Sequence, residues 1–309
     1  MLARRRTIAR FQVKNAGAFL LRVLCAGKFS ISSVWYGFFR PADEHLMDFD
    51  YRLLKAGVFR DVVSCLLFAA LLKKRGGGFV LDVGANLGQF GRRISKLTGC
   101  KVVYLEPNPA LWEKLAGNTI ASDSEYIRAA ASDVTHRVPF HYSPTHTGSG
   151  HIADVDQRGA LPLVVVDAVR IDDVLPRYTS NGSQMVGMKV DVEGHEEAVF
   201  RGAESSLLRY RPLVCFETSG DEAVWQNVVK FFPNYSFLSA SVPGMSFDQK
   251  NLRRFVSLIG LLLSGRGLVE EIDRPTGYVD GLIAVPDEWK REAFATVLDF
   301  AKTPVDLLS

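Results

Sequence analysis

The spacing of apolar and polar residues changes along the chain. Residues 1–75 carry apolar side chains at helical spacing, and three glycines at 76–78 end this pattern. Short apolar runs then alternate with amphipathic stretches. Runs typical of strands cover residues 79–84, 101–107, 126–132, 185–194, 212–218 and 281–286, and helical stretches cover residues 88–98, 109–117, 195–209 and 221–231. Strands that are apolar on both faces predict an α/β fold, in which helices cover both faces of a parallel sheet.

The segment between Asp133 and Val174 breaks this alternation. It has the pattern of hairpin strands around a polar loop, and an insertion at the edge of an α/β sheet is where a substrate-facing flap is often built. The predicted organisation is an N-terminal helical region at 1–75, a main domain at 76–290 with the hairpin insertion at 133–170 and a variable segment at 240–275, and a C-terminal helix or tail at 291–309.

Composition is that of an ordinary globular protein, with 309 residues, 47% of them hydrophobic and 23% charged. A net charge of +3 is too small to indicate a nucleic-acid partner. Residues 1–30 hold seven Lys or Arg and no acidic residue, which is typical of a solvated tail and also suits peripheral contact with anionic lipid. Four scattered cysteines without a CxxC pair, and no convincing signal sequence, predict a soluble cytoplasmic protein.

The stretch FVLDVGANLGQF, residues 79–90, predicts a buried strand that runs into a glycine-marked turn. Gly84 and Gly88 would let the backbone approach a ligand closely, and the following helix N-terminus offers N–H groups. Glu106 follows Asp82 by 24 residues, at the end of the second strand. A carboxylate at about that distance is placed to accept hydrogen bonds from ribose hydroxyls.

Asp133 follows the third strand, where it could accept a hydrogen bond from an adenine amino group, so three positions point to an adenosine-containing ligand. A nicotinamide dinucleotide is the weaker choice, because GANLGQ lacks the second glycine that makes room for a pyrophosphate. S-adenosylmethionine has no phosphate and needs no such space. The alternative interpretation is a tight turn that serves packing alone.

Five motifs, in chain order VLDVGANLGQF, YLEPNP, RIDDVL, MKVDVEGHEEAVFRGA and RPLVCFE, resemble the FkbM-type family of S-adenosylmethionine-dependent methyltransferases. The resemblance spans roughly residues 79–218, and GLIAVP at 281–286 resembles the family's late strand. It implies a class I methyltransferase fold, which is Rossmann-like with a mostly parallel seven-stranded sheet, here preceded by an N-terminal helical cap. It also implies S-adenosylmethionine as cofactor and O-methylation of a glycan, glycolipid or secondary metabolite.

The resemblance implies cofactor contacts at the ends of the first four strands and catalytic roles after the fourth. The residues are Asp82, Gly84, Ala85 and Asn86 at the methionine end, Glu106 with Pro107 and Asn108 at the ribose, Ser132 and Asp133 at the adenine, and Asp191, Glu193 and His195 beside the transferable methyl group. Asp191 is predicted to touch the cofactor as well as to act in catalysis.

Methylation of an alcohol requires a base within hydrogen-bond reach of the acceptor oxygen. His195 is predicted to begin a helix, whose partial positive charge disfavours imidazolium, so a neutral imidazole there suits proton acceptance near pH 7. Asp191 would hold the tautomer of His195 or bind the acceptor hydroxyl, and Lys189 would keep Asp191 ionised. The alternative is that His195 only starts the helix.

Two groups of side chains raise the question of a metal ion. One is an oxygen-rich set near the fourth and fifth strands: Asp191, Glu193, Glu217 and His195. The other is a series of histidines spaced by five residues in the insertion: His141, His146 and His151. No tight ligand spacing requires a divalent ion in the first set, and the second fits neither one helix face nor a zinc knuckle. We therefore predict no metal ligands, and a polar substrate flap in the insertion.

The sequence predicts an O-methyltransferase with a hydroxyl-bearing acceptor and without a nucleic-acid partner. The alternatives are an N-methyltransferase on the same fold and a non-catalytic binding or scaffold protein. No motif identifies the acceptor, and none indicates the oligomeric state.

Overall fold

The structure is a computed structural model that describes residues 4–14, 62–119, 124–142, 150–152, 163–241 and 266–306. The strands are β1 (Arg5–Lys14), β2 (Phe79–Val83), β3 (Lys101–Leu105), β4 (Ser124–Ile127), β5 (Ala130–Ala131), β6 (His136–His141), β7 (His151–Ile152), β8 (Leu163–Val169), β9 (Met185–Val190), β10 (Leu213–Thr218), β11 (Tyr235–Ser241), β12 (Arg266–Ile272), β13 (Val279–Pro286) and β14 (Val305–Asp306). The helices are α1 (Val62–Arg75), α2 (Gln89–Thr98), α3 (Trp112–Asn118), α4 (Ile171–Val174), α5 (Pro176–Thr179), α6 (Glu196–Gly202), α7 (Glu204–Tyr210), α8 (Glu222–Val229) and α9 (Lys290–Lys302).

The main sheet has the strand order β14-β1-β12-β11-β13-β10-β9-β2-β3-β4. Parallel pairing joins β10, β9, β2, β3 and β4. Within this described sheet, β12 and β13 run against the other eight strands. The fold is therefore α/β with a mixed sheet, and its ten strands correct the predicted seven. The added strands β12, β1 and β14 extend the sheet beyond β11.

The first described segment corrects the predicted N-terminal helical region. Arg5–Lys14 is the strand β1, which pairs antiparallel with β12. Buried Ala9 and Phe11 alternate with exposed Arg10 and Gln12, the two-residue period of a strand with one covered face. The expected helical pattern does hold for α1, whereas residues 15–61 lie outside the described part of the chain.

Helices pack on both faces of the main sheet, as the apolar strands predict. On β2, Val80 belongs to one buried cluster, together with residues of α1 and α2. Its neighbours Phe79 and Leu81 belong to a second cluster, together with residues of α6 and α8. Every residue of β2 is buried, because the central strand of a sheet covered on both sides has no solvent face.

The insertion forms a second sheet with the strand order β5-β8-β6-β7. His141 on β6 and His151 on β7 are cross-strand partners with ring centroids 5.6 Å apart, while His146 lies outside the described residues. Val138 and Phe140 pack against Ala130 on the inner face of this sheet. The hairpin is thus held against the end of β5, next to the edge of the main sheet.

The remaining predicted segments are partly described. The predicted C-terminal helix is present as α9, and β12 occupies part of the variable segment, of which residues 242–265 are outside the description. Among the described helices, none combines the length and the apolar character that crossing a bilayer would require.

Candidate active site

An open cleft lies at the carboxyl ends of β2, β3 and β9. The strand order reverses there, because β3 lies on one side of β2 and β9 on the other, and open α/β sheets bind ligands at such a point. The cleft encloses ≈ 640 Å³, counted with its open mouth. Eight of the predicted site residues line it: Gly84, Asn86, Glu106, Pro107, Asn108, Asp191, Glu193 and His195.

Glu106 enters the cleft from the end of β3 and is buried, with 6% of its surface exposed. Its two carboxylate oxygens accept hydrogen bonds from the backbone N–H groups of Asn86, at 2.7 Å, and Asn108, at 2.8 Å. Burial raises the pKa of Glu106 to about 7, although both backbone bonds favour the ionised form. Each oxygen keeps further acceptor capacity, so the carboxylate is fixed in place and able to accept ligand hydroxyls.

The glycines of the first turn make room for other parts of the protein, and Gly84 also lines the cleft. Gly84 has φ 72°, and a Cβ at this position would lie 1.8 Å from the carbonyl oxygen of Asp191. A Cβ on Gly88 would lie 2.7 Å from the side chains of Leu115 and Thr119. Gly84 therefore lets the end of β2 pass against the loop that follows β9.

Asp82 and Ala85 do not line the cleft, contrary to their predicted place at the methionine end. Asp82 is fully buried, and its Oδ2 accepts a hydrogen bond of 2.9 Å from the backbone N–H of Gly91 in α2. Burial raises the pKa of Asp82 to about 6, opposed by the ammonium of Lys189, whose Nζ lies 3.9 Å from Oδ1. Ala85 is buried, and its N–H donates to the carbonyl of Leu105 at 3.0 Å. Both residues shape the turn.

Asp191 lies in a charged group at the end of β9. The Nζ of Lys189 donates to Asp191 Oδ2 at 3.0 Å and to the carbonyl of Gly84 at 3.4 Å, an arrangement that favours ionised Asp191. Burial, followed by the charge of Asp191 and a hydrogen bond with it, raises the pKa of Glu217 to about 9. Glu217 therefore holds a proton at neutral pH, while Asp191 carries the negative charge.

Asp191, Glu193 and Glu217 bring carboxylate oxygens within 4.8 Å of one another, close enough to share a divalent cation. The ammonium of Lys189 and the proton on Glu217 already balance much of this charge. The absence of metal ligands, which the sequence predicted, stays a prediction.

The loop between β9 and α6 has a specific backbone shape. Glu193 and Gly194 both have left-handed dihedral angles, with φ 53° and 96°. The Oε1 atom of Glu196 accepts from the backbone N–H groups of Val192, at 3.3 Å, and Gly194, at 3.1 Å. A non-glycine residue in this conformation is strained and is maintained by its surroundings. This loop places His195 immediately before α6, at the predicted helix start, and in the wall of the cleft.

Ser132 and Asp133, which were predicted to contact adenine, lie outside the lining of the cleft and bond with His195 and with Arg201 of α6. Ser132 Oγ lies 3.0 Å from Nε2 of His195 and donates to Oδ1 of Asp133 at 3.3 Å. Arg201 Nη1 donates to Asp133 Oδ2 at 2.8 Å. The hydrogen-bond partner of Nε2 is thus Ser132, whereas Asp191 was predicted to hold the tautomer.

The hairpin insertion contributes lining residues that the sequence did not single out. Phe140, Gly150 and Ile152 line the cleft together with His151, and so do Ala130 and Ala131 of β5. The sequence predicted that the insertion as a whole faces the substrate. No motif within the insertion distinguishes these four positions from the others. The cleft consequently has an apolar end beside the insertion and an acidic end beside β9.

Among the described residues that line the cleft, the acidic side chains are Glu106, Asp191 and Glu193, and none is Lys or Arg. Lys189 lies behind Asp191, outside the lining. An acidic cleft of this kind favours a cationic ligand and disfavours a phosphate-rich one.

Comparison with known proteins adds a family match. Residues 82–239 match the family described as Methyltransferase FkbM domain. No curated protein matches the chain.

Several solved structures are similar to the chain at low identity. A methyltransferase FkbM from Methylobacillus flagellatus KT has 15% identity and a TM-score of 0.39, with 83% of this chain and 60% of that chain covered. The O-methyltransferase TomG from Streptomyces achromogenes, involved in tomaymycin synthesis, has 13% identity and a TM-score of 0.38, with 72% and 78% covered. This chain thus spans 60% of the length of the first of these proteins. The family assignment rests on the sequence match alone.

Proposed function

Because this chain belongs to the methyltransferase FkbM family, we propose that it transfers a methyl group from S-adenosylmethionine to a hydroxyl of a glycan, glycolipid or secondary metabolite. The matched residues 82–239 include the ends of β2, β3 and β9 and the hairpin insertion, and therefore the walls of the cleft.

The charge of the cleft is the observation that carries the choice of methyl donor. S-adenosylmethionine has a positive sulfonium and no phosphate, whereas a nicotinamide dinucleotide carries a negative pyrophosphate. Three carboxylates and no Lys or Arg among the described lining residues suit the sulfonium compound. The residues present therefore fit this cofactor.

The proposed cofactor contacts follow from the chemistry of the lining. Glu106 would accept the ribose hydroxyls, because its carboxylate is already oriented by the backbone of Asn86 and Asn108. The small apolar surface of Ala130 and Ala131 would lie against the adenine. When bound, S-adenosylmethionine supplies an activated methyl group, whose carbon–sulfur bond breaks with the electron pair left on sulfur.

His195 is the proposed base. It lines the cleft beside Asp191 and Glu193, and a neutral imidazole can take the proton that the acceptor oxygen loses as its bond to carbon forms. The ionised carboxylates beside it would stabilise the resulting imidazolium. The protein thereby aligns the acceptor and removes one proton, which is what an already activated methyl group requires.

Methyl transfer with a labelled donor tests this proposal. The purified protein is incubated with S-adenosylmethionine carrying a tritiated methyl group and with a cell extract, and the labelled product is identified by mass spectrometry. We expect a methyl ether. His195→Ala should reduce transfer by roughly 10²- to 10⁴-fold and leave the affinity for S-adenosylhomocysteine unchanged. His136→Ala, at an exposed position on β6, is the matched control.

Two outcomes would replace the proposal. A label found only on nitrogen would favour the N-methyltransferase alternative. A protein that binds neither S-adenosylmethionine nor S-adenosylhomocysteine in a calorimetric titration would not be an enzyme of this kind, and a binding or scaffold role would then be preferred.

A further inference from the structure

A chain of hydrogen bonds runs from the surface of α6 to the imidazole of His195. Arg201 Nη1 donates to Asp133 Oδ2 at 2.8 Å, and Ser132 Oγ donates to Asp133 Oδ1 at 3.3 Å. The same hydroxyl oxygen lies 3.0 Å from His195 Nε2. Ser132 is 2% exposed, so solvent does not compete for its hydroxyl. The chain joins two ends of the same helix through the segment that follows β5.

Close backbone packing fixes this chain. A Cβ on Gly202, the last residue of α6, would lie 1.9 Å from the carbonyl oxygen of Ser132 and 3.3 Å from Cα of Asp133. The backbone N–H of Ser132 donates to the carbonyl of Val169 at 2.9 Å. The helix therefore rests directly on the Ser132–Asp133 segment, and the side chains cannot drift apart without moving it.

The direction of the bonds follows from the charge of Asp133. Burial opposes ionisation, but the hydrogen bond from Arg201 lowers the pKa of Asp133 below its ordinary value. An ionised carboxylate only accepts hydrogen bonds, and a bond to an anion is stronger than one to a neutral nitrogen. The single proton of the Ser132 hydroxyl is then directed to Asp133, and the hydroxyl oxygen must accept from Nε2–H of His195.

We propose that Ser132 and Asp133 are positioning residues that hold His195 in the tautomer with its proton on Nε2, so that Nδ1 is the unprotonated ring nitrogen. This inference rests on the proposed function, in which His195 is the base. The residues that orient the His195 imidazole would then lie on the segment after β5. Ser132 and Asp133 would serve this role instead of the predicted contact with adenine.

Nitrogen NMR of the imidazole tests the tautomer without any methyl transfer. The full chain is labelled with ¹⁵N-histidine, and the His195→Gln variant identifies one signal set among its six histidines. At about pH 8.5, above the ordinary pKa of imidazole, the native spectrum should show Nε2–H and an unprotonated Nδ1. Ser132→Ala and Asp133→Ala should each move His195 towards a mixture of the two tautomers.

Measurements of kcat and of S-adenosylhomocysteine affinity distinguish a positioning role of Ser132 from a role in cofactor binding. Ser132→Ala should lower kcat by roughly 10- to 100-fold and change the affinity for S-adenosylhomocysteine by less than about twofold, because the hydroxyl contacts His195 and Asp133 and lies outside the cleft lining. Ser132→Thr keeps the hydroxyl and should restore both the tautomer and kcat. Ser205→Ala, at an exposed serine of α7, is the control and should change neither.

Each outcome is decisive for the inference. An unchanged His195 tautomer in both Ser132→Ala and Asp133→Ala would overturn it. Weakened S-adenosylhomocysteine binding by Asp133→Ala, with the ring signals unaltered, would return Asp133 to the adenine and also overturn it. If the native protein neither binds S-adenosylhomocysteine nor transfers a methyl group, the proposed function fails, and a tautomer shift in Ser132→Ala still supports the hydrogen-bond chain.

Discussion

At the scale of single residues, the cleft depends on carboxylates whose surroundings give them different properties. Glu106 is buried and held by two backbone N–H groups. Asp191 is ionised beside Lys189, and Glu217 keeps its proton beside Asp191. The carboxylate of Glu106 is therefore a fixed acceptor, that of Asp191 is the partner of an ammonium, and the carboxyl of Glu217 is a donor, although all three lie at ends of strands in the same sheet.

Glu106→Ala should weaken the binding of S-adenosylhomocysteine by about 2–3 kcal/mol, because two hydrogen bonds to the ribose are lost. Isothermal titration calorimetry measures the change, and Glu113→Ala, an exposed acidic residue on α3, is the control. Equal affinity of Glu106→Ala and the native protein would remove Glu106 from the cofactor site.

The raised pKa of Glu217 predicts how the free energy of unfolding depends on pH. Its pKa rises from the ordinary 4.5 to about 9 in the folded protein. Between about pH 5 and pH 9 the unfolded chain loses this proton while the folded chain keeps it, so the contribution of Glu217 to stability falls as pH rises. Glu217→Gln cannot ionise and still has a donor for Asp191. Urea unfolding should therefore show the variant gaining stability relative to the native protein from pH 5 to pH 9.

The matched control for that experiment is Glu204→Gln, at an exposed position at the start of α7. Its stability relative to the native protein should stay nearly constant over the same pH range. A difference between Glu217→Gln and the native protein that did not change with pH would contradict the protonated state assigned to Glu217.

At the scale of elements, the turn after β2 and the loop after β9 form one interlocked unit. Gly84 lies against the Asp191 carbonyl, and Lys189 donates to both Gly84 and Asp191. Asp82 binds the start of α2 through Gly91, so strand, turn and helix are joined beneath the cleft. A change at this crossing should therefore disturb the fold before it disturbs any single ligand contact.

Gly84→Ala should destabilise the protein by about 4 kcal/mol or more, because the added Cβ overlaps the Asp191 carbonyl and the left-handed backbone is strained. Gly99→Ala separates the two effects. Gly99 has a similar φ of 74° but open space around it, so that substitution should cost about 1 kcal/mol. Urea unfolding measures both, and equal costs would show that the close approach is relieved by a small shift.

At the scale of the whole molecule, one sheet of ten strands connects the terminal segments to the site. Phe11 on β1 is 2% exposed and packs edge-on against Phe300 of α9, with ring centroids 5.8 Å apart. Gly267 on β12 leaves the space that the Phe11 ring occupies. The first and last described elements therefore belong to the same packed body as the strands that carry the cleft.

Phe11→Ala should lower the free energy of unfolding by about 3–4 kcal/mol through loss of a buried ring, and unfolding should remain a single transition. Affinity for S-adenosylhomocysteine should be unchanged at temperatures where the variant is folded. The exposed neighbour Gln12→Ala is the control. Two separate unfolding transitions would contradict a continuous packed body.

The central fold could be predicted because apolar strands covered on both faces leave a clear pattern, as β2 and β9 show. The strand β1 was mistaken for helix, since its pairing with β12 is a contact across most of the chain that no local pattern encodes. Glu106 was found by its spacing. The bonds of Ser132 and Asp133 with His195 and Arg201 could not be predicted, because the direction of a side chain at a strand end depends on the helix packed there, in this case at Gly202.

The most direct test of the central claim is a crystal structure of the protein with S-adenosylhomocysteine. We expect the ribose hydroxyls within hydrogen-bond distance of the Glu106 carboxylate and the sulfur on the side of the cleft that His195 lines. A ligand bound outside the ends of β2, β3 and β9, or a ribose without contact to Glu106, would contradict it.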